Sequence, residues 1–273
     1  MGEKRKIRMI ELDKIYLGDC LNLMAEIPDG SIDMILCDLP YGTTQCKWDV
    51  IIPFNPLWEQ YKRVLKENGA VVLFCNEPFT SRLVLSNVDW FREKLTWQKH
   101  KPSNIANAKY MHLRYSEDIV CFSKGKCTYN PQMQRRTSER VRQAQKGNSK
   151  QWRINRKDSQ EVSFTTQYAP RDWKSFDADW KYPSNVLSFP AVVSNSHEKV
   201  SHPTQKPVAL FEYLIKTYSN EDETVLDNCI GSGTTAIAAI RTHRHFIGIE
   251  KENNYYEIAC NRVRKELSNP TLF

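Results

Sequence analysis

Short apolar runs, each closed by a chain-breaking residue, recur toward both ends of the chain. Asp33–Cys37, Ala70–Cys75 and Asp118–Phe122 are too short for helices and rich in β-branched or large apolar side chains, which predicts buried strands. Between the first two, the apolar positions of Pro56–Glu67 fall at helical spacing and Asn68-Gly69 offers a C-terminal stop, which predicts an amphipathic helix. Residues 203–267 repeat the rhythm: helix over Pro207–Tyr218, strand over Thr224–Asp227, helix over Thr234–Thr242, strand over His245–Ile249 and helix over Asn253–Leu267. Strands alternating with helices imply an α/β fold with a doubly wound, mostly parallel sheet. No internal repeat or low-complexity tract interrupts it. The longest apolar runs, such as Ala70–Cys75, are far too short to cross a bilayer. The basic start, Met1 to Arg8, has no apolar stretch after it, so neither a signal peptide nor an anchor is expected.

The middle of the chain breaks this pattern. From Lys124 to Lys181 there are 14 basic and six acidic residues, an excess of +8. The whole chain of 273 residues carries +7, so everything outside that stretch is close to neutral at −1. The stretch also holds Trp152, Trp173, Trp180, Tyr129, Tyr168 and Phe164 among many amide and hydroxyl side chains, with no sustained apolar period. It marks a module inserted between two regular parts. A solvated insertion accounts for the composition by itself; clustered Arg and Lys beside aromatics and amides also suit phosphate contact with base-edge readout.

The eight cysteines contain no C-x-x-C pair, and no histidines sit at zinc-finger spacing, so no metal site is expected. Several lie in apolar runs, where a reduced thiol behaves as a small hydrophobe. That usage suits a cytoplasmic protein with free thiols.

Two strand ends carry candidate chemistry. Val225–Ala236 passes from a strand through Asp227-Asn228-Cys229-Ile230-Gly231-Ser232-Gly233 into a helix opened by Thr234 and Thr235. The glycines permit close backbone approach by a ligand at the carboxyl end of the strand. Glu250 ends the next strand, 19 residues after Gly231, where an acid can accept hydrogen bonds from ribose hydroxyls. Gly231, Gly233 and Ala236 alone also fit a nicotinamide-dinucleotide turn. The carboxylate of Asp227 would repel a diphosphate and instead favours a ligand with cationic groups, which points to S-adenosylmethionine.

The second is Asp38-Leu39-Pro40-Tyr41, after the strand Asp33–Cys37. Pro40 keeps Leu39 out of the helical region, so the Leu39 carbonyl and the Asp38 carboxylate can face the same rim. Two acceptors there suit an exocyclic amino group on a planar base. Its nitrogen lone pair is delocalised into the ring, and acceptors on its N–H groups favour a pyramidal, nucleophilic nitrogen. Tyr41 offers a flat face against which the base can stack.

Asp38-Leu39-Pro40-Tyr41 resembles the D-P-P-Y motif of amino-group DNA methyltransferases, and Asp227 through Thr235 resembles their cofactor loop, D-x-F-x-G-x-G-T. The catalytic motif precedes the cofactor motif with an insert between them, the order of the β group of these enzymes. Gly18-Asp19-Cys20 resembles the segment that meets the cofactor adenine, and His202-Pro203-Thr204-Gln205-Lys206-Pro207 the one lining its methionine end. Leu95 to Lys99 and Ser116 to Lys124 resemble the family's later strand pair.

The resemblance covers about residues 14–125 and 200–267. It implies a Rossmann-like methyltransferase fold: 1–123 the catalytic part, 124–195 a target-recognition insert, 196–273 the part binding S-adenosyl-L-methionine. It implies Asp38, Leu39, Pro40 and Tyr41 as catalytic, and Asp19, Cys20, Lys206, Asp227, Cys229, Gly231, Ser232, Gly233, Thr234, Thr235 and Glu250 as cofactor-binding. Arg135, Arg136, Arg140, Arg142, Lys146, Lys150 and Arg153 of the insert are the candidate DNA contacts. Two residues depart from the pattern: Leu39 stands for the first proline, where only a carbonyl is needed, and Cys229 for the usual Phe.

The implied reaction is methyl transfer to adenine N6 of a base flipped out of double-stranded DNA. It fits a restriction–modification setting in a bacterium or phage, with a cognate endonuclease and a second copy of the chain as candidate partners. In this family Asp at the position of Asp38 leans toward adenine and Ser toward cytosine. The alternatives are an N4-cytosine methyltransferase or a DNA-binding relative without catalysis. Trp48 and Asp49 are candidates for a loop over the base, Glu77, Pro78 and Phe79 for a pocket wall, and His202 for a structural role.

Overall fold

A computed structural model describes residues 10–43, 46, 49–137, 139 and 179–268. Ten strands occur among them: β1 (Lys14–Leu17), β2 (Ile32–Asp38), β3 (Leu65–Cys75), β4 (Phe91–Gln98), β5 (Ser116–Phe122), β6 (Gln134–Arg135), β7 (Trp180–Lys181), β8 (Val186–Ser188), β9 (Thr224–Asp227) and β10 (His245–Glu250). The α-helices are α1 (Cys20–Met24), α2 (Phe54–Val64), α3 (Phe79–Ser86), α4 (Val208–Tyr218), α5 (Thr234–Arg241) and α6 (Asn253–Leu267).

Eight strands form one sheet in the order β1-β10-β9-β2-β3-β5-β4-β8. Every pairing is parallel except the two that β5 makes with β3 and β4. The sheet is therefore doubly wound and mostly parallel, as the alternating pattern predicts. β2 is buried on both faces, which is why Met34–Cys37 runs apolar without alternation. Met34, Leu36, Val72 and Phe74 face a core shared with α4 and α5, and the Phe74 and Phe211 rings stack at 5.0 Å. Ile35, Cys37, Val71 and Leu73 face the opposite core with α1 and α2, where Met24, Leu57 and Tyr61 are fully buried.

The strand order reverses between β9 and β2, whose register pairs Met34 with Val225 and Ile35 with Leu226. In open α/β sheets that switch point leaves a crevice at the carboxyl ends of the strands. The crevice here lies where β2 ends in Asp38 and β9 ends in Asp227.

One predicted boundary is corrected. The second helix ends at Val64, and Leu65 is already extended, so Asn68-Gly69 lies inside β3 rather than at a helix stop. A β-carbon on Gly69 would sit 2.6 Å from the Leu65 side chain and 2.9 Å from the Asp33 carbonyl. The glycine is there to let β3 approach β2 at the register shift between Ile32 and Met34.

The chain forms two compact units, residues 1–130 with 185–273, and Pro131–Ser184. The second is narrower than the expected insert. At one flank, Thr128 N donates to the Asn68 carbonyl (3.0 Å); at the other, β8 pairs with β4. In the second unit β6 pairs with β7, and the Arg136 guanidinium donates to the Trp180 carbonyl (3.1 Å).

Candidate active site

Asp38 is the last residue of β2, and Leu39, Pro40 and Tyr41 form the turn that leaves the sheet. The Tyr41 hydroxyl donates to Asp38 Oδ1, and Lys206 Nζ donates to Asp38 Oδ2. The Tyr41 ring rests against Phe79 at 5.3 Å, and Phe79 in turn against Phe54 at 5.6 Å. The turn is held from beyond by Asp49, whose two carboxylate oxygens accept from Gly42 N and Thr43 N, each at 2.9 Å. Asp49 is thus a clamp on the loop after Tyr41; Trp48 lies outside the described residues.

Behind the turn sits a buried row of alternating charge. Lys206 also faces Glu117 Oε2 at 3.5 Å, Lys99 Nζ donates to Glu117 Oε1 (2.8 Å), and Ser103 Oγ accepts from Lys99 (3.0 Å). Burial alone would lower the Lys206 pKa, but Asp38 and Glu117 outweigh it and hold the ammonium protonated. Burial likewise raises Asp38 above the usual carboxylate value, against the pull of Lys206. Glu117 ends below its ordinary value because Lys206 and Lys99 overcome its burial.

The glycine loop runs from β9 to α5. Asp227 is 3 % exposed, and its oxygens accept from Cys229 N (3.0 Å) and from the Thr235 hydroxyl. Burial lifts its pKa to about 7, although those two donors favour the ionised form. Gly231 has φ +52°, and a β-carbon there would lie 3.0 Å from His202 Nε2. The Gly231 amide donates to Glu250 Oε2 and the Glu252 amide to Glu250 Oε1, both at 2.8 Å, which aims the carboxylate at the loop. Asp19 caps α1 by accepting from Leu21 N (3.1 Å). Cys229 accepts from Asn228 Nδ2 at 3.6 Å, and Asn228 is fixed by the Tyr61 hydroxyl (2.6 Å). His202 packs on the Tyr255 ring at 4.4 Å, and burial lowers its pKa to about 4, so it is neutral at pH 7.

These strand ends line one cavity of about 820 Å³, within the usual range of small-molecule sites. Asp38, Leu39, Pro40 and Tyr41 line it together with Asp19, Cys20, Lys206, Asp227, Cys229, Gly231, Ser232, Thr234, Thr235 and Glu250. Gly233 does not. Its φ of +83° starts α5, and a β-carbon there would meet Ala259 at 3.1 Å, so this glycine lets α5 and α6 approach. Lys206 lies in the wall, but its ammonium is spent on the carboxylates of Asp38 and Glu117. Glu77 bonds Ser81 Oγ (2.9 Å) at the start of α3, while Asn76 is the lining residue there. Of the candidate DNA contacts, Arg135 is the last residue of β6 and Arg136 follows it, and Arg140, Arg142, Lys146, Lys150 and Arg153 lie outside the described residues.

Sequence reasoning missed Glu117 and Lys99, quoted only as parts of a strand pair. Their signal was a charged residue beside an apolar strand, where water is excluded and a charge needs a partner.

A doubly wound sheet with a glycine turn and a carboxylate–aromatic turn on adjacent strand ends defines the class, a Rossmann-like methyltransferase. The chain belongs to the N6/N4 family described as DNA methylase, which matches residues 32–261. Type II methyltransferases M2.MboI and M1.MboII of Moraxella bovis are 27 % and 28 % identical to it. The first alignment covers 92 % of this chain and 87 % of the relative, the second 90 % and 95 %. Among solved structures, the M1.HpyAVI–SAM complex superposes with a TM-score of 0.59 at 22 % identity, covering 94 % of this chain and 99 % of that one. PvuII DNA methyltransferase, cytosine-N4-specific, gives 0.61 at 17 % identity, covering 97 % and 93 %. The chain is a DNA methyltransferase, and its cofactor is S-adenosyl-L-methionine.

The residues present fit that cofactor. Gly231 leaves a cradle that any β-carbon would narrow, Glu250 presents a carboxylate at the ribose position of the strand end, and Asp227 supplies buried negative charge for a cationic ligand.

Proposed function

We propose that the methyl acceptor is N6 of adenine, flipped out of double-stranded DNA into the rim pocket at Asp38. The observation that carries this is a strand-end carboxylate and a ring in one turn, Asp38 to Tyr41, all four residues of which line the cavity shared with the glycine loop.

Asp19, Glu250 and the loop from Asp227 to Thr235 would hold the cofactor. Bound there, it supplies an electrophilic methyl carbon on a sulfonium. Asp38 and the Leu39 carbonyl accept the two N–H groups of the amine, which localises its lone pair toward that carbon. Transfer of the methyl group to the nitrogen would leave the S–C electron pair on sulfur as a neutral thioether, and the methylated amine would release its extra proton to solvent at the open rim of the cavity. The negative charge of Asp38 is aimed at the nitrogen where positive charge develops. Tyr41, backed by Phe79, supplies the stacking face.

Two basic surfaces suit the DNA. Residues 100–115 contain Lys101, Lys109 and Arg114 and no Asp or Glu, and they expose Ile105, Tyr110 and Met111. Asn104 braces the segment by accepting from Arg114 N (2.6 Å) and donating to the His112 carbonyl (3.1 Å). Arg135 and Arg136 open the other, which continues through Arg140 and Arg142 in sequence. Neutralising these four arginines is expected to weaken duplex binding and to reduce the salt slope by about 0.9 for each lost phosphate contact, read by titrating a duplex at several salt concentrations.

The deciding experiment incubates the protein with methyl-labelled S-adenosylmethionine and unmethylated DNA, then digests to nucleosides. Label in N6-methyldeoxyadenosine supports the proposal. Label in N4-methyldeoxycytidine replaces adenine with cytosine, and DNA binding without transfer points to an inactive relative.

A further inference from the structure

Asp38 is fully engaged before any base arrives, with Tyr41 on Oδ1 and Lys206 on Oδ2. An amino group seeking the same carboxylate competes with an ammonium, the stronger donor. The positive charge that grows on the attacking nitrogen is also opposed by a cation parked on Asp38. The structure contains a place for that cation to go. Glu117 Oε2 is buried, has no hydrogen-bond partner, and lies 3.5 Å from Lys206 Nζ. Its sister oxygen is already fixed by Lys99, so the carboxylate cannot turn away. A buried acceptor left unfilled is costly, and a small shift of one ammonium fills it.

We propose that Glu117 is a positioning residue that takes over the Lys206 hydrogen bond when the target amino group docks on Asp38. Lys206 then moves between two carboxylates without leaving the buried site, and Asp38 keeps its charge while gaining a vacant oxygen. Phe74, whose ring lies 5.5 Å from Nζ, flanks the path without offering a rival acceptor. The idea rests on the methyl-transfer reading above, since it assigns the amino group to Asp38.

The test is Glu117→Gln in the full chain, assayed for methyl transfer to DNA beside the wild type. The amide keeps an oxygen for Lys99 but turns an N–H donor toward Lys206, so the ammonium stays on Asp38. The turnover rate should fall at least about tenfold while KM for S-adenosylmethionine stays close to wild type; the melting temperature should also fall, because buried Lys99 loses its charged partner. Glu117→Asp should restore part of the loss. Adding Lys206→Gln to Glu117→Gln should cost less than the two single losses combined, because the trapped cation is gone.

A pH readout separates this from a structural role. Asp38 faces Tyr41, Lys206, Glu117 and Asp227, and the negative neighbour Glu117 raises its pKa. The acid limb of the rate profile should therefore move to lower pH in Glu117→Gln. An active wild type with an unaffected Glu117→Gln variant overturns the hand-off alone, as does a loss confined to cofactor KM. A wild type that transfers no methyl to DNA sinks both readings together.

Discussion

Asp38→Ala is expected to lower methyl transfer by on the order of 10³-fold while S-adenosylmethionine binding stays within about threefold of wild type. The variant removes an acceptor for the amino group and the charge facing the developing ammonium. It also leaves Lys206 and Lys99 sharing the single carboxylate of Glu117, so the row carries one surplus positive charge and the melting temperature should fall. Both assays are therefore run well below the melting transition of the variant. Isothermal titration with the cofactor and a labelled transfer assay, run on the same preparation, check both halves. Retained turnover would remove Asp38 from the reaction. Lost cofactor binding would mean that its effect is transmitted to the neighbouring strand end at Asp227.

The second large effect concerns pH. Burial places the Asp227 pKa at about 7, well above its ordinary 3.8. A cationic ligand favours the ionised carboxylate, so binding to the protonated fraction must expel a proton. Cofactor affinity should be full above about pH 7 and weaken as pH falls, approaching tenfold per unit. The unliganded fold has the opposite dependence. A raised folded pKa means a contribution that is fully present below the unfolded value and lost as pH rises to about 7. Asp227→Asn should flatten both curves and bind the cofactor on the order of 100-fold more weakly at pH 8, because the charge is gone for good. Calorimetric affinities and melting curves across pH 5–8, compared between the two proteins, test this. An unchanged wild-type slope in the variant would assign the proton to another group, such as Glu250.

The strand ends were legible because each is a local signal. An apolar run closed by Asp38-Leu39-Pro40-Tyr41 or by Asp227 and two glycines states its own place at a strand end within ten residues. The row from Asp38 to Lys99 was not, because four elements supply it. Lys206 precedes α4, Glu117 sits at the start of β5, and Lys99 follows β4. Only antiparallel pairing of β4 with β5, which places Trp97 opposite Glu117, assembles them. Asn68-Gly69 misled for the converse reason. Its local meaning as a helix stop is overridden by the pairing of Leu65 with Ile32, which extends the chain four residues earlier. Gly233 fits the cofactor pattern by spacing, yet its bare Cα serves Ala259, a contact 26 residues away.

The excursion between the two halves of the sheet unit begins after Asn130 and ends before Asn185. Asn130 N is tied to the Thr217 carbonyl (2.7 Å), and the Asn185 carbonyl accepts from Thr96 N (2.8 Å). Each end therefore has its own mooring on the scaffold, and among the described residues none of the strand ends that line the cavity belongs to the stretch between. Such a layout works as a socket for interchangeable cassettes. Exchange of residues 131–184 would replace 12 basic and six acidic residues, a net +6 of the chain's +7, and leave Asp38, Glu117, Lys206 and Asp227 in place. The proposed function then predicts that exchanging this one stretch changes the target sequence without rebuilding the turn at Asp38.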